Sequence, residues 1–257
     1  MPFANLVVLQ KYNDPADEQN YELGKIYKKK IATNIFKIIF YLSMTWFGYS
    51  ILNQLNYFPV ELGGVGSLKN LVEEGYPKSL LHTKPAYFDI YYMTALGYCL
   101  TDLIWLLFIY ELQTDFNMML LHHSCTISLI SFSYLTNYSH AGCVILFLHD
   151  VGDIFVYFMR IIINIKIQSF LKIGAGLIFV LVFIYTRIFV FGKVLYTLVF
   201  DTTWEKGVEI YVLITFGCFL YMMHVNWVYL IFKKIYSAMV ENKIEDTSNI
   251  QTVSKSK

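Results

Sequence analysis

The chain has 257 residues, of which 56% are hydrophobic, 18% aromatic and only 15% charged, and its formal net charge is +1. This composition, with a mean hydropathy of +0.49, excludes an ordinary soluble domain. A charge so near zero gives no reason to expect a nucleic-acid partner.

A spanning helix needs about 20 largely apolar residues. Six stretches qualify, at 31–53, 86–110, 116–136, 140–163, 170–199 and 208–232. The expected fold is therefore an all-α polytopic membrane protein, with a lead-in over 1–30, a six-span domain over 31–233 and a disordered tail over 234–257. The start, MPFANLVVLQKYNDPADEQN, has no basic segment followed by an apolar core, so no cleaved signal peptide is expected, nor any further span before Ile31. Lysines 25, 28, 29 and 30 precede the first span, and Lys233 and Lys234 follow the last, which places both ends in the cytoplasm.

In the first span Lys37 stands inside the apolar run, and snorkelling to the interface is its expected state. The loop over 54–85 contains glycines but no strand and helix around them, so it reads as an ordinary surface loop with His82 solvated. The second span carries Asp102 near its middle. Either Thr101 or a neighbouring tyrosine satisfies that carboxylate, or it belongs to a polar cavity. The fifth span, interrupted by Arg187, Gly192 and Lys193, runs to its end or splits at Gly192. Cys99, Cys125, Cys143 and Cys218 all lie in apolar runs, where packing is a better use than disulfides.

Chemistry concentrates in the third and fourth spans, FNMMLLHHSCTISLISFSYLTNYSHAGCVILFLHDVGDIFVYFMR. An Asp at a span centre costs roughly 2.5–3.5 kcal/mol on the insertion scale, against a gain of about 0.3–0.6 for each Leu, Ile, Phe or Val. Asp150 and Asp153 together cancel about ten such residues, so something must compensate. Successive helical residues are about 100° apart, so His122 and His123 cannot both face one atom. Thr126 lies on the surface between them. Asp150 and Asp153 share a face, and His149 is turned away from Asp150. Counted along antiparallel helices, the histidines and Asp153 lie at similar depths on the cytoplasmic side, which makes His–Asp contact available. A carboxylate beside an imidazole holds its tautomer and raises its basicity.

From Gly75 to Arg160 the sequence resembles the TLC domain of the ceramide synthase family, with its Lag motif. The resemblance rests on Gly75-Tyr76-Pro77, Tyr91-Tyr92, Asp115-Phe116, His122-His123, Thr126, LISFSYLTNY (129–138), Gly142 and LHDVGD (148–153). Arg187 and MHVNWVYLI (223–231) look like the family's late arginine and its closing helix. The resemblance implies a six-helix bundle or barrel around a central lipid cavity, in the endoplasmic reticulum membrane. It implies acyl transfer from acyl-CoA, as co-substrate, to the amine of a sphingoid base, giving ceramide or dihydroceramide. His122, His123, Asp150 and Asp153 are the expected catalytic residues. Thr126, His149, Arg187, His224 and Trp227 are expected to bind substrate; His224 and Trp227 share a helix face. No metal and no bound cofactor are expected. The expected partners are acyl-CoA, the sphingoid base, the bilayer and a second copy of the chain as a homodimer.

The sequence departs from the family pattern at several places. Gln113-Thr114 replace basic residues, His140 replaces an arginine, Gly152 a serine, Tyr157 a glutamate and Arg160 a lysine. A non-catalytic TLC protein that binds or senses lipids, or assists early secretory traffic, is the alternative reading. A di-iron lipid hydroxylase needs about eight clustered histidines, and this chain has six, widely scattered. A transporter is disfavoured by the lack of internal repeats and paired broken helices.

Overall fold

The computed structural model describes residues 18–73, 84–108, 116–165, 168–200 and 207–241. Among them are six helices long and apolar enough to cross a membrane, so the chain is an all-α multi-pass membrane protein. They are α1 (Glu18–Leu52), α2 (Phe88–Phe108), α3 (Phe116–Leu135), α4 (Ser139–Asn164), α5 and α6 (Val208–Glu241). Helix α5 has three consecutive parts: Ser169–Phe183, a π-helical stretch Ile184–Val190, and Phe191–Phe200. Hence the fifth span continues through Gly192 rather than splitting there. Helix α1 begins well before Ile31, so the second half of the expected lead-in is already helical. His82 and the tail beyond residue 241 lie outside the described residues.

Neighbouring helices close a ring in the order α1, α2, α3, α6, α5, α4 and back to α1. Helices α3 and α4 also touch each other, because the corner between them spans only Thr136 to Tyr138. That contact crosses the ring and divides its interior into two lobes. One lies between α1, α2, α3 and α4, the other between α3, α4, α5 and α6. Half of the α4 span is buried, against 22–33% of the others. Large apolar side chains such as Trp46, Phe108 and Leu181 point outward, 69–79% exposed, as lipid-facing residues must.

The α3–α4 corner is tight for a local reason. Asn137 adopts φ 63°, a left-handed conformation that asparagine tolerates better than most residues. Five residues on, Gly142 lets α4 approach the Tyr92 side chain of α2. A Cβ there would collide with Tyr92 Oη. The Tyr92 and Ser133 hydroxyls are in turn 2.5 Å apart.

Two expectations are corrected here. The segment after α1 is not a plain surface loop. Tyr57 and Phe58 are 3% and 0% exposed, with Tyr57 stacked on His140 and Phe58 edge-on to Phe147. The loop is a lid over the end of the bundle away from Lys28, because its aromatic residues have more apolar surface to bury than an exposed loop can leave in water. Lys193 of α5 pins it by donating to Glu61 Oε1 at 2.7 Å, which holds that carboxyl below the ordinary range.

Lys37 does not snorkel. It is 8% exposed and donates to Asp102 Oδ2 at 2.6 Å and to Tyr157 Oη at 3.3 Å. A carboxylate across the lobe gives the ammonium a nearer partner than the headgroup region. Asp102 is thereby satisfied by Lys37, while the Thr101 hydroxyl donates to the Gly97 carbonyl instead.

Replacing Gly142 by Ala is expected to cost about 1–3 kcal/mol of stability through overpacking against Tyr92. Thermal unfolding in detergent, compared with Gly176→Ala where a Cβ finds nothing closer than 3.6 Å, measures the difference.

Candidate active site

Arg187 is the one guanidinium in the α3–α6 lobe, and the π-helical stretch of α5 carries it. A π-turn widens the helix by one residue and turns the following side chains, a device frequent at functional sites. The side chain is 3% exposed. Its Nη2 donates to Asp153 Oδ1 at 2.5 Å and to the His149 carbonyl at 3.1 Å, both on α4. Nη1 lies 3.4 Å from His224 Nε2 on α6. A guanidinium only donates, so Nε2 of His224 is the acceptor and the proton of that ring sits on Nδ1.

Three imidazoles and an indole gather around this fork. The His149 and His224 rings are 5.2 Å apart, His122 and His224 6.3 Å, and His122 and Trp227 5.0 Å. Phe191 closes the floor, 5.5 Å from both His149 and His224. His149 Nδ1 is 2.6 Å from the Ile145 carbonyl. That oxygen can only accept, so Nδ1 carries the proton and Nε2 keeps its lone pair. Buried polar atoms usually find partners. Yet His122 Nδ1, Thr126 Oγ1, His149 Nε2, Arg187 Nε and His224 Nδ1 have none among the described residues. These five atoms, from four helices, border one lobe.

A narrow apolar slot of about 60 Å³ leads from this cluster. Thr126 and His149 border it at one end, Tyr138, Leu198 and Ile210 at the other, with Ile145 and Leu195 along its length. From Leu220 to Ile210 it follows α6 for about 15 Å at 1.5 Å per residue.

The structure thus brings together His122, Thr126, His149, Asp153, Arg187, His224 and Trp227. It does not bring Asp150 to the histidines. Asp150 is 4% exposed and its Oδ2 accepts from Tyr91 Oη at 2.9 Å, across the α2–α4 contact. Among the described residues no hydrogen bond joins a carboxylate of α4 to a histidine of α3. The guanidinium stands between them instead, a contact that the fold creates and that spacing within two helices cannot show. His123, next to His122 on the helix, faces the other lobe, within electrostatic reach of Asp102, Lys37 and Arg160. Sequence reading missed Lys37 and Tyr157 as cavity residues. A usable signal existed: Lys37 and Asp102 are opposite charges some six to nine residues from the same membrane face.

Arg187→Met is expected to lower stability by about 3 kcal/mol, because the part-buried Asp153 is left without its cation. The double variant Arg187→Met, Asp153→Leu removes both charges and is expected to recover most of that loss. A double-mutant cycle of thermal unfolding measures the coupling.

Comparison with known proteins gives the family of the chain. The family model of the TLC domain matches residues 30–233. Ceramide synthase 4 of Mus musculus is 30% identical over 226 residues, covering 85% of this chain and 53% of the relative. Ceramide synthase 5 of Homo sapiens is 32% identical over 149 residues, 56% of this chain and 38% of the relative. Ceramide synthase hyl-2 of Caenorhabditis elegans is 28% identical over 171 residues, 61% and 51% of the two chains. The chain spans about half the length of the curated relatives it matches most extensively. With a matched segment that runs through all six spans, the chain belongs to the TLC domain family.

Proposed function

We propose that the protein is a ceramide synthase-like N-acyltransferase, moving a fatty acyl group from acyl-CoA to the amine of a sphingoid base. The observation that carries this reading is the cluster of three imidazoles around Arg187 at the mouth of an apolar slot. A thioester needs both a polar reaction centre and an oily place for its chain, and here they adjoin. The names of the three relatives given above, each a ceramide synthase, support the same reading over a non-catalytic lipid-binding protein. The proposed location is the endoplasmic reticulum membrane, in line with the family resemblance.

The reaction starts with a protonated amine. A base takes one proton from the ammonium, and the freed nitrogen attacks the thioester carbonyl. The C–N bond forms, the C–S bond breaks, and the thiolate leaves with a proton returned by the imidazolium. One proton per turnover reaches solvent. In the proposed arrangement His122 and His123 act as base and acyl handler, with the lone pair of His149 Nε2 in the lobe that His122 faces. The Arg187 fork, held by Asp153, stabilises negative charge on the carbonyl oxygen as it develops. Thr126, His224 and Trp227 border the acyl carbonyl. Asp150, tied to Tyr91, holds α2 against α4. CoA sits at the end of the bundle marked by Lys28–Lys30, Lys233 and Lys234, whose charges suit its phosphates.

In membranes lacking their own synthase, the chain is expected to form ceramide from sphinganine and at least one member of an acyl-CoA panel. His122→Ala and His123→Ala are each expected to lower turnover by a factor of about 10²–10⁴, the usual worth of a general base. Both variants should keep the wild-type melting temperature within a few degrees. Unchanged turnover in both would remove the histidines from the chemistry.

A further inference from the structure

The lobe between α1, α2, α3 and α4 holds charged and hydroxylated side chains that the acyl-handling site leaves unused. Lys37, Asp102 and Tyr157 meet there, with Asp102 and Tyr157 8% and 7% exposed. Arg160 lies over the Tyr157 ring at 5.4 Å, on the side nearer the Lys28 end. Tyr98 is clamped by stacking on Phe40, ring centroids 3.8 Å apart, and by an edge contact to Tyr41 at 5.5 Å. Its buried hydroxyl has no partner among the described residues.

We propose that this lobe is a second binding site, taking the hydroxylated amine head of the long-chain base while the thioester occupies the Arg187 lobe. The inference rests on the acyltransfer reading and assigns its second substrate a place.

Topology supports it first. The α3–α4 contact divides the ring, and the adjacent histidines fall on either side of the divide. His122 turns to His224 and Trp227, and His123 lies within electrostatic reach of Asp102 and Lys37. Two co-substrates that must meet at one bond are served by two histidines on one helix turn. Charge supports it next. Lys37 is neutralised by Asp102, so the lobe suits a polyphosphate poorly, which needs uncompensated cations. An amino alcohol needs a carboxylate edge for its nitrogen and hydroxyls for its own, and Asp102, Tyr98 and Tyr157 supply them. Packing gives no competing account, since apolar residues of similar volume usually replace a buried ion pair without loss of stability. In this site the ammonium gives its proton to the His123 imidazole, and the neutral amine reaches the acyl carbonyl past the α3–α4 divide.

The test uses the full chain in lipid nanodiscs, with sphinganine and palmitoyl-CoA varied separately. Tyr98→Phe and the paired swap Lys37→Met, Asp102→Leu are each expected to raise KM for sphinganine about tenfold, as loss of one hydrogen bond to a charged or hydroxyl group does. KM for palmitoyl-CoA should stay within twofold, and the melting temperature should not fall. A rise in KM for palmitoyl-CoA instead would give the lobe to CoA, and two unchanged KM values would make the pair a clamp only. Should the paired swap fail to fold, Tyr98→Phe decides. A photoactivatable sphinganine gives a readout independent of turnover. Labelling of α1 and α2 supports the lobe even where wild type transfers no acyl group, a result that would sink the acyltransfer reading alone. Labelling confined to α5 and α6 overturns the inference.

Discussion

A guanidinium that cannot lose its proton is the most demanding group a bilayer-embedded protein can carry, and Arg187 sets the terms for the rest. It must be given acceptors from inside the protein, since lipid offers none. Asp153 and the His149 carbonyl come from α4, His224 from α6, and the π-turn of α5 aims the fork at all three. Three helices are therefore fixed in rotation and depth by one side chain. Once that is done, the imidazoles of His149 and His224 have fixed faces, His224 has a fixed tautomer, and Phe191 has a ring pair to close against.

Polarity is confined within the bundle rather than spread through it. Lys37, Asp102, Tyr157, Asp153 and the α3 histidines lie toward the end where α1 enters. Beyond His149 the α3–α6 lobe becomes the apolar slot, while the lid packs Tyr57 on His140 and Phe58 on Phe147. A chamber of this form keeps its charges near water and its apolar wall beyond them. Its lining follows from helix periodicity: Ile145 and His149 are four apart on α4 and share a face, so the slot begins directly beneath the imidazole.

Much of this was legible in the chain. Span lengths are set by the bilayer, so all six apolar spans could be read within a few residues, although helices α1 and α6 run on past theirs. The divergence of His122 and His123 and the shared face of His224 and Trp227 also followed, because each is a local matter of helical spacing. What failed was contact between distant helices. Asp150 and Asp153 look equivalent in LHDVGD, yet one is claimed by Tyr91 and the other by Arg187, 59 and 34 residues away. Lys37 looked like a snorkelling residue because its partner, Asp102, is 65 residues off. The loop over 54–73 was misread for the opposite reason: its glycines suggested exposure, while Tyr57 and Phe58, which govern its packing, are too short an apolar run to stand out.

The adjacency of the two histidines then acquires a physical meaning that neither has alone. Side chains meant to grip one atom from one helix would sit three or four residues apart, where they share a face. Side chains one residue apart diverge by about 100° and can serve only different neighbours. On a helix at the rim of a chamber, one of such a pair would be spent on lipid. Helix α3, though a member of the ring, has three protein neighbours: it touches α2 on one flank, α6 on the other and α4 across the ring. Both flanks are protein, both lobes open onto it, and a tandem pair is the shortest sequence that puts an imidazole into each.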